Sequence, residues 1–225
     1  MNGALKIIGF GLAALVAAGA YTVARQRVEE KHTVQAFLDS IATMKQQQHT
    51  QEAALQARFN QIDVDQYMQA SKLASSSGVA DGRVELARYR ALLVERDQLV
   101  VTELAQSHAL LNSLPEGRLR EQALRGAANG EGRNSQLRST LDHAQVANAD
   151  AVQAVFDWAD RNHAIVHVRG NQLVINGQAP LDELNSLEAH VRETGQAVNE
   201  SLGRIGTVQS QSARTLDQLR HDAAE

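Results

Sequence analysis

The chain has 225 residues, a formal net charge of −4 and no cysteine. Disulfides, thiolate chemistry, cysteine-based zinc sites and a lipid-modified N-terminal cysteine are therefore excluded, and mild acidity without a basic stripe argues against nucleic acid as a partner. An aromatic content of 4%, beside abundant Ala, Gln, Leu, Arg and Glu, suits long helices better than a compact enzyme.

The first element is an uncharged apolar run from Ile7 to Ala24, with Lys6 before it and Arg25 and Arg27 after it. A bilayer core about 30 Å thick needs roughly 20 apolar residues, so the run is just long enough to cross one. Two readings compete. A cleavable export signal would use the A-x-A-like site Ala18-Gly19-Ala20. An uncleaved anchor is favoured, because apolar character continues past that site through Tyr21, Val23 and Ala24. Counting Arg25, Arg27 and Lys31 favours a cytoplasmic body. A short basic tail before a small-residue segment favours export, and we adopt that orientation. The small residues Gly9, Ala13 and Ala17 would let two such segments pack together. The expected plan is an anchor or export signal over 1–24 and a soluble helical bundle over 25–225. The protein would then be single-pass in the inner membrane, with its bulk in the periplasm.

The soluble part opens with a helix predicted from about Arg25 to Ile62. Val34, Ile41, Leu55 and Ile62 lie on a seven-residue grid, with Gln48 in the missing slot. Its middle, Lys45 to Glu52, reads as a weak, solvated stretch. A second helix covers about Val64 to Ala74, interrupted by Ser75-Ser76-Ser77-Gly78 and Asp81-Gly82. A third carries Leu86, Tyr89, Leu93, Val100, Leu104 and Leu111 on one face and stops near Pro115. Ser113 and Glu116 have capping-box spacing for a short helix to about Arg125. Gly126 to Gly132 is the strongest loop signal and reads as a tip between antiparallel helices. Ser135 then caps a helix to about Arg161.

Ile165–Val168 and Leu173–Ile175 are short and β-branched around Arg169-Gly170-Asn171-Gln172, which predicts a small hairpin. Two strands alone are barely stable in water, so the hairpin is expected to lie on the helices. The last helix is predicted from Pro180 to His221. Leu181, Leu184, Val191, Val198, Leu202, Ile205, Leu216 and Leu219 share one alternating three-four spacing on it. Such a seam needs a partner helix, from the same chain or another subunit. Close backbone approach is one reason to tolerate Gly195, Gly203 and Gly206 there. The fold class is mainly α: a membrane helix, then an elongated antiparallel helical bundle with one hairpin before the last helix.

Few residues offer chemistry. His163 and His167 are the only close histidine pair, and in extended chain they stand about 13 Å apart, too far to share one ion. His32, His49, His108, His143, His190 and His221 read as solvated. Asp157, Asp160 and Glu183 flank the hairpin and would form an acidic pocket with Trp158 and the histidines if they converged. Trp158 itself reads as core. Gly126 to Gly132 lacks the Lys-Ser or Lys-Thr of a phosphate cradle. No catalytic, metal or cofactor site is therefore expected.

The order of membrane segment, helices, late hairpin and last helix resembles bacterial envelope proteins often labelled lipoproteins. The carrying residues are Ala36-Phe37-Leu38-Asp39 and Val168 to Ile175. The lipid-attachment cysteine is missing, and the likeness implies no activity. The function expected is helix-mediated protein interaction or scaffolding without catalysis, with the last-helix seam carrying packing or self-association. The alternative is an extracytoplasmic ligand sensor working with a partner.

Overall fold

The computed structural model describes residues 28–224. The apolar run 7–24 lies outside the described residues. Among those described, no helix is long and apolar enough to cross a membrane. The chain is mainly helical, with one two-stranded antiparallel hairpin before the last helix. Its elements are α1 (Val28–Phe59), a 3-10 turn (Asp65–Met68), α2 (Ala70–Leu73), α3 (Ser76–Asn112), α4 (Arg118–Asn162), β1 (Val166–Arg169), β2 (Gln172–Ile175) and α5 (Gln178–Ala224).

Several predicted boundaries move. The first helix ends at Phe59 rather than Ile62, and the helix expected over Val64 to Ala74 is a 3-10 turn followed by the four-residue α2. Three further changes have a structural cause. The break at Ser75 to Gly82 shrinks to Ala74 and Ser75, and Gly78 and Gly82 lie inside α3. Gly82 is needed for closeness. A Cβ there would come within 2.6 Å of Phe156 Cζ and 2.9 Å of Tyr67 Cβ. Second, Gly126 to Gly132 is not a loop but part of α4, so Ser135 caps nothing. The glycines cost about 1 kcal/mol each in a helix interior. Ala123 and Ala127 on the inward face offset that by packing with Phe37, Ile41, Met44, Leu111 and Leu114. Third, Ser113 forms no capping box: its hydroxyl donates back to Leu110 O at 2.7 Å, and α4 begins only after Gly117.

The hairpin appears where β-branched residues predicted it, shifted by a residue at the turn. Arg169 pairs with Gln172, which leaves Gly170 and Asn171 as a two-residue loop. Gly170 has φ +62°, and among the described residues no non-glycine residue has positive φ, the pattern of a turn with Gly at its first central position. The hairpin is only partly covered, with Leu173 half-buried near the turn. Val166 is buried, opposite half-buried Ile175, and β2 lies against α2, while Val168 and Val174 are exposed.

Contacts divide the chain into two compact units. Among described residues, the first gathers Ala57–Glu95 and Thr140–Leu202. Its core holds Phe59, Leu86, Tyr89, Phe156 and Trp158, all almost fully buried. Phe59 and Tyr89 meet edge to face with centroids 5.9 Å apart. Helix directions follow from paired residues. Arg83 reaches Asp157 while Arg90 reaches Asp150, so α3 and α4 run antiparallel here. Arg161 reaches Glu183 while Asn148 reaches Thr194, so α4 and α5 do the same.

The second unit gathers the described residues up to Gln56, Arg96–Ser139 and the chain from Gly203 on. Phe37, Ile41, Met44, Leu111, Leu114, Ala123 and Ala127 form its apolar cluster. Above Met44 on α1 and below Leu111 on α3, the inward positions turn polar: Gln48, Glu103 and Ser107 are all buried.

Candidate functional site

Two groups of residues deserve the name of candidate site: the last-helix seam read from the sequence, and the buried polar layer that the sequence did not announce.

In the first unit the seam residues Leu184, Val198 and Leu202 are buried, and Leu181 and Val191 are half-buried. In the second unit Ile205 is buried. For this stretch the covering partner is the chain itself. α4 supplies part of it, since Asn148 Nδ2 donates to Thr194 Oγ1 at 3.0 Å and to Val191 O at 3.2 Å. Thr194 and Asn148 thus place a polar clasp inside an apolar seam, which fixes the register of α5 on α4. The side chains of Leu216 and Leu219 lie outside the described residues. The glycines of this helix are not sites of close approach. A Cβ at Gly203 or Gly206 meets nothing within 4 Å, and at Gly195 it meets only Asn148 Nδ2 at 3.6 Å.

The polar layer lies in the second unit. Ser107 Oγ stands 4.0 Å from Met44 Sδ, which sets α1 against α3, and donates to Glu103 O at 2.9 Å. One turn from Met44, Gln48 is 4% exposed, and one turn from Ser107, Glu103 is 1% exposed. Neither Gln48 Nε2 nor Glu103 Oε1 makes a hydrogen bond within the protein. Burial pushes the Glu103 carboxyl up to about 8, the Glu52 carboxylate adds to the rise, and Arg138 opposes it. Burial also raises Glu52, against the opposing effect of His49. Two carboxyls from α1 and α3 therefore share a poorly solvated layer in which ionisation is disfavoured. The Lys45 to Glu52 stretch is thus not solvated all round. Gln48 on the seven-residue grid was the one sign that a polar residue would face inward.

The acidic pocket expected around the hairpin does not form. Asp157 and Asp160 both pair with Arg83, at 2.8 and 3.2 Å, and Glu183 pairs with Arg161 at 2.8 Å. Asp157 is held below the ordinary carboxylate range: burial alone would raise it, but hydrogen bonds from Gln153 and Arg83 and the nearby arginine charges outweigh that. Trp158 is fully buried core, as read from the sequence. His163 is exposed and His167 Nε2 lies 3.2 Å from Asn176 Nδ2, inside the hairpin. His49 and His143 are exposed. His108 and His190 instead sit beside carboxylates, Glu131 at 2.7 Å and Glu193 at 3.7 Å. The side chains of His32 and His221 lie outside the described residues. Among the described residues, no three His, Asp or Glu side chains are grouped to hold a metal ion.

No protein-family model, no curated protein and no solved structure matches the chain.

Proposed function

We propose that this chain is a membrane-tethered, non-catalytic cell-envelope protein. It works through helix-mediated protein contact, with the run 7–24 anchoring an antiparallel helical bundle outside the cytoplasm. One observation carries the reading: the charged residues nearest to a catalytic constellation, Asp157, Asp160 and Glu183, are each engaged by an arginine of a neighbouring helix. Their geometry serves helix packing. The long continuous helices, up to 47 residues in α5, supply extended side faces suited to partners.

A phosphatase fused after Glu225, combined with photo-crosslinking residues at exposed Val146 of α4 and at His190 of α5, tests both halves. The expected result is phosphatase activity in intact cells, retention in carbonate-washed membranes, and a crosslinked protein adduct of discrete mass. An inactive fusion with all chain in the soluble fraction would overturn the tether, and absence of any adduct would overturn the contact role.

The buried layer favours a second reading, a ligand-sensing module working with a partner, since Glu103 and Gln48 each carry a polar atom with no hydrogen bond inside the protein. A thermal-shift screen with small polar metabolites decides it. A shift that disappears in Glu103→Gln supports sensing, and no shift across the screen removes it.

A further inference from the structure

Three of the large apolar side chains left exposed, Val84, Val94 and Val101, stand on one helix, at 56%, 57% and 67% exposure. Their spacing on α3 is not scattered. With Ala87, Ala91 and Gln98, all exposed, they fill an alternating three-four series from 84 to 101. That is the spacing of a coiled-coil seam, on the side of α3 opposite to Leu86, Tyr89, Leu93 and Val100, which are buried. α3 is thus two-sided: one seam is used within the chain and the other faces solvent. Side chains this small would let a second helix approach closely.

We infer that this outer seam of α3 pairs antiparallel with the same seam of a second copy of the chain. The inference rests on the helix-contact reading above and names its partner. The charges flanking the seam select both occupant and direction. Arg88 and Arg90 lie before its midpoint, and Glu95 and Asp97 after it. In an antiparallel pair Val84 meets Val101 of the second copy, Ala91 meets Val94, and Ala87 meets Gln98. Arg88 then lies beside Glu95 of the second copy and Arg90 beside its Asp97, and two-fold symmetry repeats both contacts. A parallel pair would instead bring Arg83 beside Arg88 of the other chain, like against like, and keep only Arg90 beside Glu95 as an opposite-charge contact.

The four flanking side chains have partners within the chain: Arg88 with Glu85, Arg90 with Asp150, Glu95 with Arg58 and Asp97 with Arg96. Each flanking side chain remains 43–71% exposed. The Arg90–Asp150 and Arg58–Glu95 pairs are exposed at both ends and hold their partners weakly. Glu85 and Arg96 are buried, but the Arg88 and Asp97 ends of their pairs face solvent, so all four charges can reach a second contact.

The absence of native cysteine makes the test direct. Full-length chains carrying only Val84→Cys or only Val101→Cys are oxidised in mild detergent, separately and mixed. In the antiparallel pair the mixture gives an 84-to-101 disulfide. Each variant alone gives none, because equivalent positions then stand about 25 Å apart along the helix, beyond the reach of a disulfide. The mass in detergent, corrected for bound detergent, is twice the 24.4 kDa of one chain and returns to one chain in Val94→Asp with circular dichroism unchanged. Disulfides formed by each variant alone would overturn the inference in favour of parallel pairing. A single-chain mass with no disulfide in the mixture would overturn self-pairing altogether. In that case adducts persisting at Val146 or His190 would leave the helix-contact reading standing, and their loss would remove both.

Discussion

At Glu103 the chain buries a carboxyl to 1% exposure with Glu52 as a neighbour. Its cost depends on pH. Between the ordinary carboxylate range and about pH 8, the folded chain keeps a proton on Glu103 that the unfolded chain has released. Stability therefore falls as pH rises through that window, by about 1.4 kcal/mol per pH unit where the difference is a full proton, and levels off above it. Glu103→Gln removes the titration. Urea midpoints measured from pH 5 to pH 9 are expected to be flatter in the variant and higher than wild type at the alkaline end. Parallel curves for the two proteins would show that Glu103 is already ionised in the fold. Gly82 makes the opposite kind of demand. Alanine there would drive a methyl into the Phe156 ring, and overpacking of this kind costs about 1–3 kcal/mol. A melting temperature within error of wild type would mean that the ring moves aside freely.

At the scale of elements, periodicity made α3, α5 and the hairpin legible. Leu86, Tyr89 and Leu93 pointed inward as their spacing required, and so did Leu184, Val198 and Leu202. What misled was punctuation. Glycines at 126, 130 and 132 suggested a loop, yet α4 runs through them, with the buried alanines at 123 and 127 packed against α1 and α3 on its inward face. Gly82 shows the converse: it looked like a breaker and is a packing residue. The polar layer was nearly invisible, since Gln48, Glu103 and Ser107 are burial exceptions that only a tertiary partner reveals. The α3 outer seam was readable in the sequence, but alanines and valines stand out less than leucines. If the glycines of α4 and α5 are incidental, replacing them is favourable. Gly132→Ala and Gly203→Ala, each with open space for a methyl, are expected to raise stability by about 0.5–1 kcal/mol each. A loss in chemical denaturation would reveal a need for the glycine beyond helix propensity.

For the whole molecule, pairing through α3 carries a thermodynamic signature. A fold that binds a second copy only when folded becomes more stable with concentration. Melting temperature is therefore expected to climb as the chain is concentrated, and to stay constant for Val94→Asp. Identical concentration dependence in both proteins would place any association elsewhere than on α3. The same measurement separates stability held within each chain from stability lent by its neighbour. If the proposed tether holds, diffusion is confined to two dimensions, and the confinement raises the effective local concentration.

The tip of the hairpin has a practical use. Gly170 and Asn171 are exposed, and the backbone bond from Asn176 N to Ile165 O closes the ladder at its base. The clasp of Asn148 on Thr194 and the Arg161–Glu183 pair grip the flanking helices independently of that tip. A short antibody epitope inserted between Gly170 and Asn171 would therefore be tolerated at an exposed turn. It would mark the chain internally instead of at its ends, and its accessibility on unbroken cells would test the proposed placement outside the cytoplasm with both termini left native.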